Sequence, residues 1–253
     1  MPLPTLIRDL HRRKARERRG LALAEGVRLV EEMLAAGVEC KGAMVGPQLE
    51  TTPRGRALRA ALDERGIVVE LASEAELAEL ASTEHPQGVV AVYRPREWAF
   101  ADINVQPGRP VVLLDGVQDP GNVGTIARSA LALGASGLIA LPGTADLTNP
   151  KVVRGAMGAL FRLPHLVADD VGTANWVASS GVKLWATDVK GETVLGEGVA
   201  ERLAIVLGNE GAGVRDEWLA RADRLVAIPI RPDAESLNVA VAAGILLHLT
   251  GAR

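Results

Sequence analysis

Cysteine is nearly absent. Cys40 is the only one in 253 residues, which excludes an internal disulfide and any metal site built from clustered thiolates. Aromatic residues are also scarce, at 3% with one Tyr and two Phe, which argues against base stacking on aromatic platforms as a main binding mode. No apolar run approaches the roughly 20 residues of a membrane helix. The opening MPLPTLIRDLHRRKARERRG is charged but leads into no apolar core, so it does not read as a signal peptide, and a cytoplasmic, non-membrane protein is expected. The histidines (His11, His85, His165, His248) are far apart and lack metal-ligand spacing. There is no GxGxxG after the first strand, no GxxxxGK[ST] and no GxSxG. The chemistry is therefore expected to need neither a metal nor a covalent nucleophile.

What is present is an ordinary globular composition, 48% hydrophobic and 23% charged, of a length that suits one or two domains. The net charge of −3 is unevenly spread. Residues 1–19 carry Arg8, Arg12, Arg13, Lys14, Arg16, Arg18 and Arg19 against only Asp9 and Glu17. Such a basic amphipathic start suits an RNA backbone or an acidic membrane, and equally a solvated helix face.

The hydrophobic pattern divides the chain into two α/β blocks. In the first, helices are expected at 5–19, 26–36, 54–65 and 73–80, the last with Ser73 and Glu76 as a capping box, and strands at 42–45, 67–71 and 89–93. RPREWAFADINVQPGRP has three prolines and no steady period and reads as the connection. The expected boundaries are 1–96 for the first domain, 97–109 for the linker and 110–253 for the second domain. The second block alternates strands (111–115, 137–141, 183–187, 204–207, 225–228) with helices (122–134, 149–160, 172–180, 214–220, 237–250), the pattern of a parallel sheet.

Three loops of this block carry chemistry. In DGVQDPGNVGTIARSA, a strand end is followed by a turn and a helix start, where open α/β sheets place ligands; Asn122 suits a cap, and Arg128 follows six residues later. In LGNEGAGV, three glycines surround one carboxylate, Glu210. Loops that cradle phosphate seldom hold an acid, so a ligand other than phosphate is expected. In AIPIRPDAESLNVAVAAGILLHLT, a strand is expected through Ile228–Ile230, and Ser236 is expected to cap a helix apolar nearly all round, which must be buried in the fold or against another subunit. Capping alone would also account for Ser236 and Asn238, and a solvent-facing turn for Glu210.

In that order, Asn122 with Arg128, Gly208-Asn209-Glu210-Gly211 and Ser236-Leu237-Asn238 resemble the three motifs of the SpoU/TrmH class of RNA ribose methyltransferases, in the SPOUT superfamily. NPKVVRGAMGALFRLPH also looks like this family, and GLALAEGVRLVEEML and STEHPQGVVAVY look like the substrate-binding domain that many members carry. The resemblance implies an α/β fold with a C-terminal parallel-sheet domain containing a deep trefoil knot and a smaller N-terminal α/β substrate-binding domain. It implies S-adenosylmethionine as cofactor, lined by Leu207, Gly208, Asn209, Gly211, Ile228, Ile230 and Leu237, with Thr187 and Asp188 at the edge. It implies methyl transfer to a ribose 2′-hydroxyl by Asn122, Arg128, Glu210, Ser236 and Asn238, Arg128 holding the nucleotide phosphate and Glu210 positioning Arg128 or its motif.

Two stretches depart from the family. Arg154-Gly155-Ala156-Met157-Gly158 lacks the small serine-containing run of many members, and Arg231-Pro232-Asp233 stands where small Gly-rich turns are common. A full N-terminal domain resembles that of enzymes acting on large ribosomal RNA, with Arg12, Arg13, Arg16 and Arg154 as candidate RNA contacts. The apolar last helix implies a homodimer through the catalytic domains. The other readings are a transfer-RNA ribose methyltransferase and a non-catalytic RNA-binding ribosome assembly factor.

Overall fold

The computed structural model describes residues 1–83, 85–194, 201–231 and 233–251. Glu84 of STEHPQGVVAVY and Pro232 of the turn before Ser236 lie outside the described residues. The helices and strands run, in order, α1 (Leu3–Leu10), α2 (Arg13–Arg19), β1 (Ala22–Glu25), α3 (Val27–Ala35), β2 (Cys40–Val45), α4 (Pro53–Glu64), β3 (Val69–Leu71), α5 (Glu74–Leu80), β4 (Val89–Tyr93), β5 (Val111–Asp115), α6 (Pro120–Ala132), β6 (Gly137–Ala140), α7 (Pro150–Gly155), β7 (His165–Val167), α8 (Asp170–Ser180), β8 (Lys183–Thr193), β9 (Leu203–Gly208), α9 (Asp216–Arg221), β10 (Arg224–Ala227) and α10 (Val239–Thr250). They form two units, Met1–Arg96 with Asp146–Phe161, and Glu97–Ala145 with Arg162–Arg253.

The first unit is a four-stranded sheet in the order β1-β4-β2-β3, with only the β2/β3 pair parallel. β1 is absent from the sequence reading because Ala-Leu-Ala-Glu has little strand propensity; its pairing with β4 and full burial make it a strand. The basic start is two helices rather than one. Arg12 is extended (φ −87°, ψ 130°), and α2 folds back so that Asp9 accepts hydrogen bonds from Arg12, Arg18 and Arg19. Arg16 turns inward, donating to the Leu10 and His11 carbonyls (both 2.9 Å) and to Asp146 (2.5 Å).

That pair explains why Asp146–Phe161, expected in the second block, groups with the first unit. Phe161 also meets Tyr93 edge-on, with centroids 5.3 Å apart. The expected helix over 149–160 stops at Gly155, and Met157 and Gly158 take positive φ (48° and 92°).

The second unit is a six-stranded, wholly parallel sheet in the order β10-β8-β9-β5-β6-β7. The chain moves outward from β5 through β6 to β7, returns to β8, and then inserts β9 between β8 and β5. Neighbouring β5 and β9 therefore send their following segments in opposite directions, which makes their carboxyl ends the switch point of the sheet, where open α/β sheets bind ligands. Both strands are buried along their whole length, and their apolar runs follow from cover on both faces. The expected linker belongs to this unit: Phe100 stacks on Trp176 at 5.4 Å, and Ile103 and Val105 lie in the core. No helix among the described residues is long and apolar enough to cross a membrane.

Removing one partner of a buried ion pair costs about 3–5 kcal/mol. Arg16 has a side chain 3% exposed against Asp146 at 16%, so Arg16→Met is expected to destabilise the first unit by roughly that amount. All four tryptophans lie in the second unit, so the check is hydrogen exchange across residues 1–96. Unchanged protection there would contradict the assignment.

Candidate functional site

The site begins with the turn that leaves β5. Asp119, not Asn122, caps α6: its Oδ1 accepts the Asn122 N–H at 2.8 Å, and Pro120 occupies the first helical position, where a missing N–H costs nothing. The Asn122 side chain is thereby free for tertiary contacts.

Those contacts explain the carboxylate in the glycine-rich loop. Glu210 Oε2 accepts the Gln118 N–H at 3.2 Å, and Oε1 accepts the Asp119 N–H at 3.2 Å and Asn122 Nδ2 at 2.9 Å. Asn122 Oδ1 in turn accepts Asn238 Nδ2 at 2.9 Å. Asn238 Oδ1 then caps α10 through the Ala240 and Val241 N–H groups. One chain of side chains therefore joins all three motifs. Burial pushes the Glu210 carboxyl up, but the hydrogen bonds from Asn122 and the backbone outweigh it and hold the carboxyl below its ordinary 4.5.

The loop after β9 is closed on itself. The Asn209 and Gly213 backbones exchange two 3.0 Å hydrogen bonds, while Asn209 Oδ1 accepts the Gly211 and Ala212 N–H groups. Asn209 Nδ2 reaches across to the Gly116 carbonyl at 2.9 Å. Gly208 is required by this closure, because a Cβ there would overlap the Gly213 and Val214 backbone. Gly211 has no such internal reason: a Cβ would meet nothing nearer than Asn209 Oδ1 at 3.7 Å.

The other candidate residues are more scattered. Arg128 is exposed on α6 and is not the partner of Glu210, whose carboxylate is taken up by the 118–122 turn. Ser236 is exposed and does not cap α10, because the helix starts three residues later with Asn238 as its cap. β10 ends at Ala227, so Ile228 and Ile230 lie in the irregular segment beyond it rather than in a strand; Ile230 and Leu237 are 36% and 38% exposed. Leu207 is buried at the end of β9. Thr187 Oγ1 donates to the Val206 carbonyl at 3.1 Å, and Asp188 accepts the Lys190 N–H at 2.7 Å. In the first unit Arg12 and Arg13 are exposed, whereas Arg16 is withdrawn from any surface by its ion pair. Arg154 donates to Ser82 Oγ at 2.9 Å, and that hydroxyl donates to Glu25.

Sequence reading missed a second polar cluster. Asp115, the last residue of β5, is buried and accepts both the Arg215 backbone N–H (2.8 Å) and Arg215 Nε (2.6 Å). The Arg215 guanidinium also grips Asp170 (2.6 and 3.1 Å), which accepts Trp218 Nε1 at 3.0 Å. The available signal was an acid closing the apolar run Val-Val-Leu-Leu, because a buried carboxylate must find a partner. A groove of about 420 Å3 between α8, β8 and α9 contains none of the candidate residues.

Residues 109–248 match the SpoU rRNA Methylase family, and residues 6–91 match the MRM3-like substrate binding domain. The chain belongs to the SpoU rRNA methylase family. It is 36% identical to a 23S rRNA (guanosine(2553)-2′-O)-methyltransferase of Bacillus subtilis, over 96% of this chain and 94% of that protein. It is 39% identical to a 23S rRNA (guanosine-2′-O-)-methyltransferase of Coxiella burnetii, over 72% and 76%. An AdoMet-bound rRNA methyltransferase structure from Sinorhizobium meliloti superposes with a TM-score of 0.85 at 34% identity, covering 98% of this chain and 93% of that one. The AdoMet complex of the SpoU methyltransferase AviRb from Streptomyces viridochromogenes gives 0.85 at 30%, covering 97% and 96%.

In this SpoU-family chain the Glu210 clamp carries a pH dependence. Its carboxyl is depressed in the folded state, so its contribution is complete above the ordinary 4.5 and is lost as pH falls through the lower folded value. The Asn122 side-chain amide resonance is expected to titrate with a midpoint below 4.5, in step with faster exchange of the Gln118 and Asp119 amides. A midpoint at or above 4.5 would contradict the clamp.

Proposed function

We propose that this SpoU-family chain transfers a methyl group from S-adenosylmethionine to a ribose 2′-hydroxyl of large-subunit ribosomal RNA. The observation that carries the reading is the pair of loops after β5 and β9, clamped together by Glu210 at the switch point of a parallel sheet. The donor set fits the cofactor. Backbone groups and apolar side chains are offered by Leu207, Gly211, Ile230 and Leu237, while the acid in the loop is consumed internally and leaves no bare phosphate cradle. The open space at Gly211 has no use within the chain and suits close approach of a ligand to backbone.

S-adenosylmethionine, when bound, supplies a methyl activated on a sulfonium. The protein's part is then alignment and charge. The exposed Arg128 guanidinium carries donors and no acceptor, so it orients the RNA phosphate and stabilises negative charge growing on the 2′-oxygen, while the hydroxyl proton leaves to solvent. Asn122, Glu210 and Asn238 hold the loops in register, Asn209 ties the loop after β9 to Gly116, and exposed Ser236 stands ahead of the α10 cap. Exposed Arg12 and Arg13 of the first unit contribute backbone charge for RNA. Arg154, in the last turn of α7 and tied to Ser82, serves by fixing α7 to the 81–83 segment as much as by touching RNA.

The same reading includes a trefoil knot in the second unit, a cytoplasmic enzyme and a homodimer through α6 and α10. For the dimer, Val241 is 51% and Leu131 36% exposed, and Gly244 stands mid-helix with open space where a Cβ would be. Glycine inside a helix costs about 1 kcal/mol against alanine, so a close-packed neighbour gives it a purpose.

Methyl transfer from labelled S-adenosylmethionine is expected into unmodified ribosomal RNA but not transfer RNA, in an alkali-resistant linkage, and to fall at least a hundredfold in Arg128→Ala, the order reported when one oxyanion-stabilising donor is removed. Label in transfer RNA alone would replace the substrate. Cofactor binding with no transfer to either RNA or to ribosomal particles would favour the non-catalytic reading. Gly244→Arg is expected to give a monomer in sedimentation that has lost methylation, and a fully active monomer would refute the dimer. Ala243, 1% exposed, would report on folding instead.

A further inference from the structure

We propose that Asp115 and Arg215 are positioning residues for the cofactor loop, fixing both of its ends to a single point on the sheet. The inference rests on the methyltransferase reading for its functional consequence, and on geometry for the rest. The loop leaves the sheet at Gly208, whose ladder partner on β5 is Asp115. It returns at Arg215, whose backbone N–H is received by the carboxylate of the same Asp115. Entry and exit are thus pinned to one residue, and the 209–213 turn stands between them as a closed hairpin.

The Arg215 side chain makes this pin rigid. The Asp115 carboxylate is fully buried, and Arg215 is the cation recorded against it, so the pair is held by the need to keep that charge compensated. The remaining guanidinium nitrogens run to Asp170 at the start of α8, and Asp170 also receives Trp218 of α9. The fork therefore triangulates the loop exit against β5, α8 and α9. A planar guanidinium with five donors suits this, and a lysine could satisfy one carboxylate but not both in the same geometry. Glu210 fixes the loop's middle to the 118–122 turn, and Asp115–Arg215 fixes its base. The two anchors share no residue and act on different parts of the loop.

The test uses the full-length chain with Arg215→Met, Arg215→Lys and, in case the single change leaves a buried carboxylate that prevents folding, the double variant Asp115→Asn/Arg215→Met. Two quantities are read: amide exchange of Gly211–Val214 without cofactor, and KM for S-adenosylmethionine against kcat and against KM for ribosomal RNA. Loss of charge-assisted hydrogen bonds at the loop base is expected to speed loop exchange and raise the cofactor KM about tenfold. The RNA KM should stay within about twofold and kcat should change less than the cofactor KM, with Arg215→Lys recovering part of the loss. A general folding defect would move all three parameters and would not be repaired by lysine. A folded Arg215→Met or double variant with wild-type cofactor KM overturns the proposal, whatever its exchange rates. A wild-type chain that binds no S-adenosylmethionine, while Arg215→Met still loosens the loop, overturns the methyltransferase reading and leaves the positioning intact.

Discussion

A carboxylate meeting N–H groups from the segment after another strand is the constraint on which this site depends. A loop with three glycines in six residues has little intrinsic preference for one shape, and its conformational entropy opposes any fixed cradle. Glu210 supplies the missing constraint by receiving Gln118, Asp119 and Asn122 from the turn after β5. Because Asn122 passes the constraint to Asn238, and Asn238 caps α10, residues more than a hundred positions apart in sequence share one hydrogen-bonded chain. Each of these side chains holds the next, so displacing one removes the partner of its neighbour and the three motifs move together.

The sheet decides where that constraint acts. Inserting β9 between β8 and β5 puts the glycine-rich loop beside the Asp119-Pro120-Gly121 turn, although 88 residues separate Asn122 from Glu210. Asp115 at the end of β5 then serves both loops, opening one and fastening the base of the other. The groove between α8, β8 and α9 lies away from the strand ends that carry the motifs. In the first unit a different economy holds: much of the basic charge of α1 and α2 is spent on Asp9, Glu17 and Asp146, leaving a subset of arginines exposed.

Much of the second unit was legible because buried parallel strands announce themselves as apolar runs; 111–115 and 204–207 needed nothing else. The site motifs were legible as residues but not as contacts. The resemblance implied that Glu210 positions Arg128 or its motif, and the carboxylate holds the motif, meeting Asn122 and the turn in front of it rather than Arg128, a matter of tertiary register that no local signal encodes. Ser236 and Asn238 are both good caps, and sequence alone could not choose between them; the start of α10 at Val239 does. β1 escaped because Ala-Leu-Ala-Glu has little strand propensity, and β7 because His165–Val167 is a three-residue edge strand directly after Pro164; pairing partners make both of them strands. Arg16 looked like its neighbours on a basic stretch, and only the fold-back of α2 reveals that it is buried.

Binding of S-adenosylmethionine over the clamped loops at the β5–β9 switch point is the proposal on which the function rests. The most direct measurement is backbone amide resonances of the 26.6 kDa chain followed through a titration with S-adenosylmethionine. Shifts concentrated in 207–213, 228–230 and 236–238 are expected, with smaller ones in 117–122. Shifts confined to the groove lined by Ala174, Val177, Lys183 and Arg221, with the loops after β5 and β9 unmoved, would contradict it.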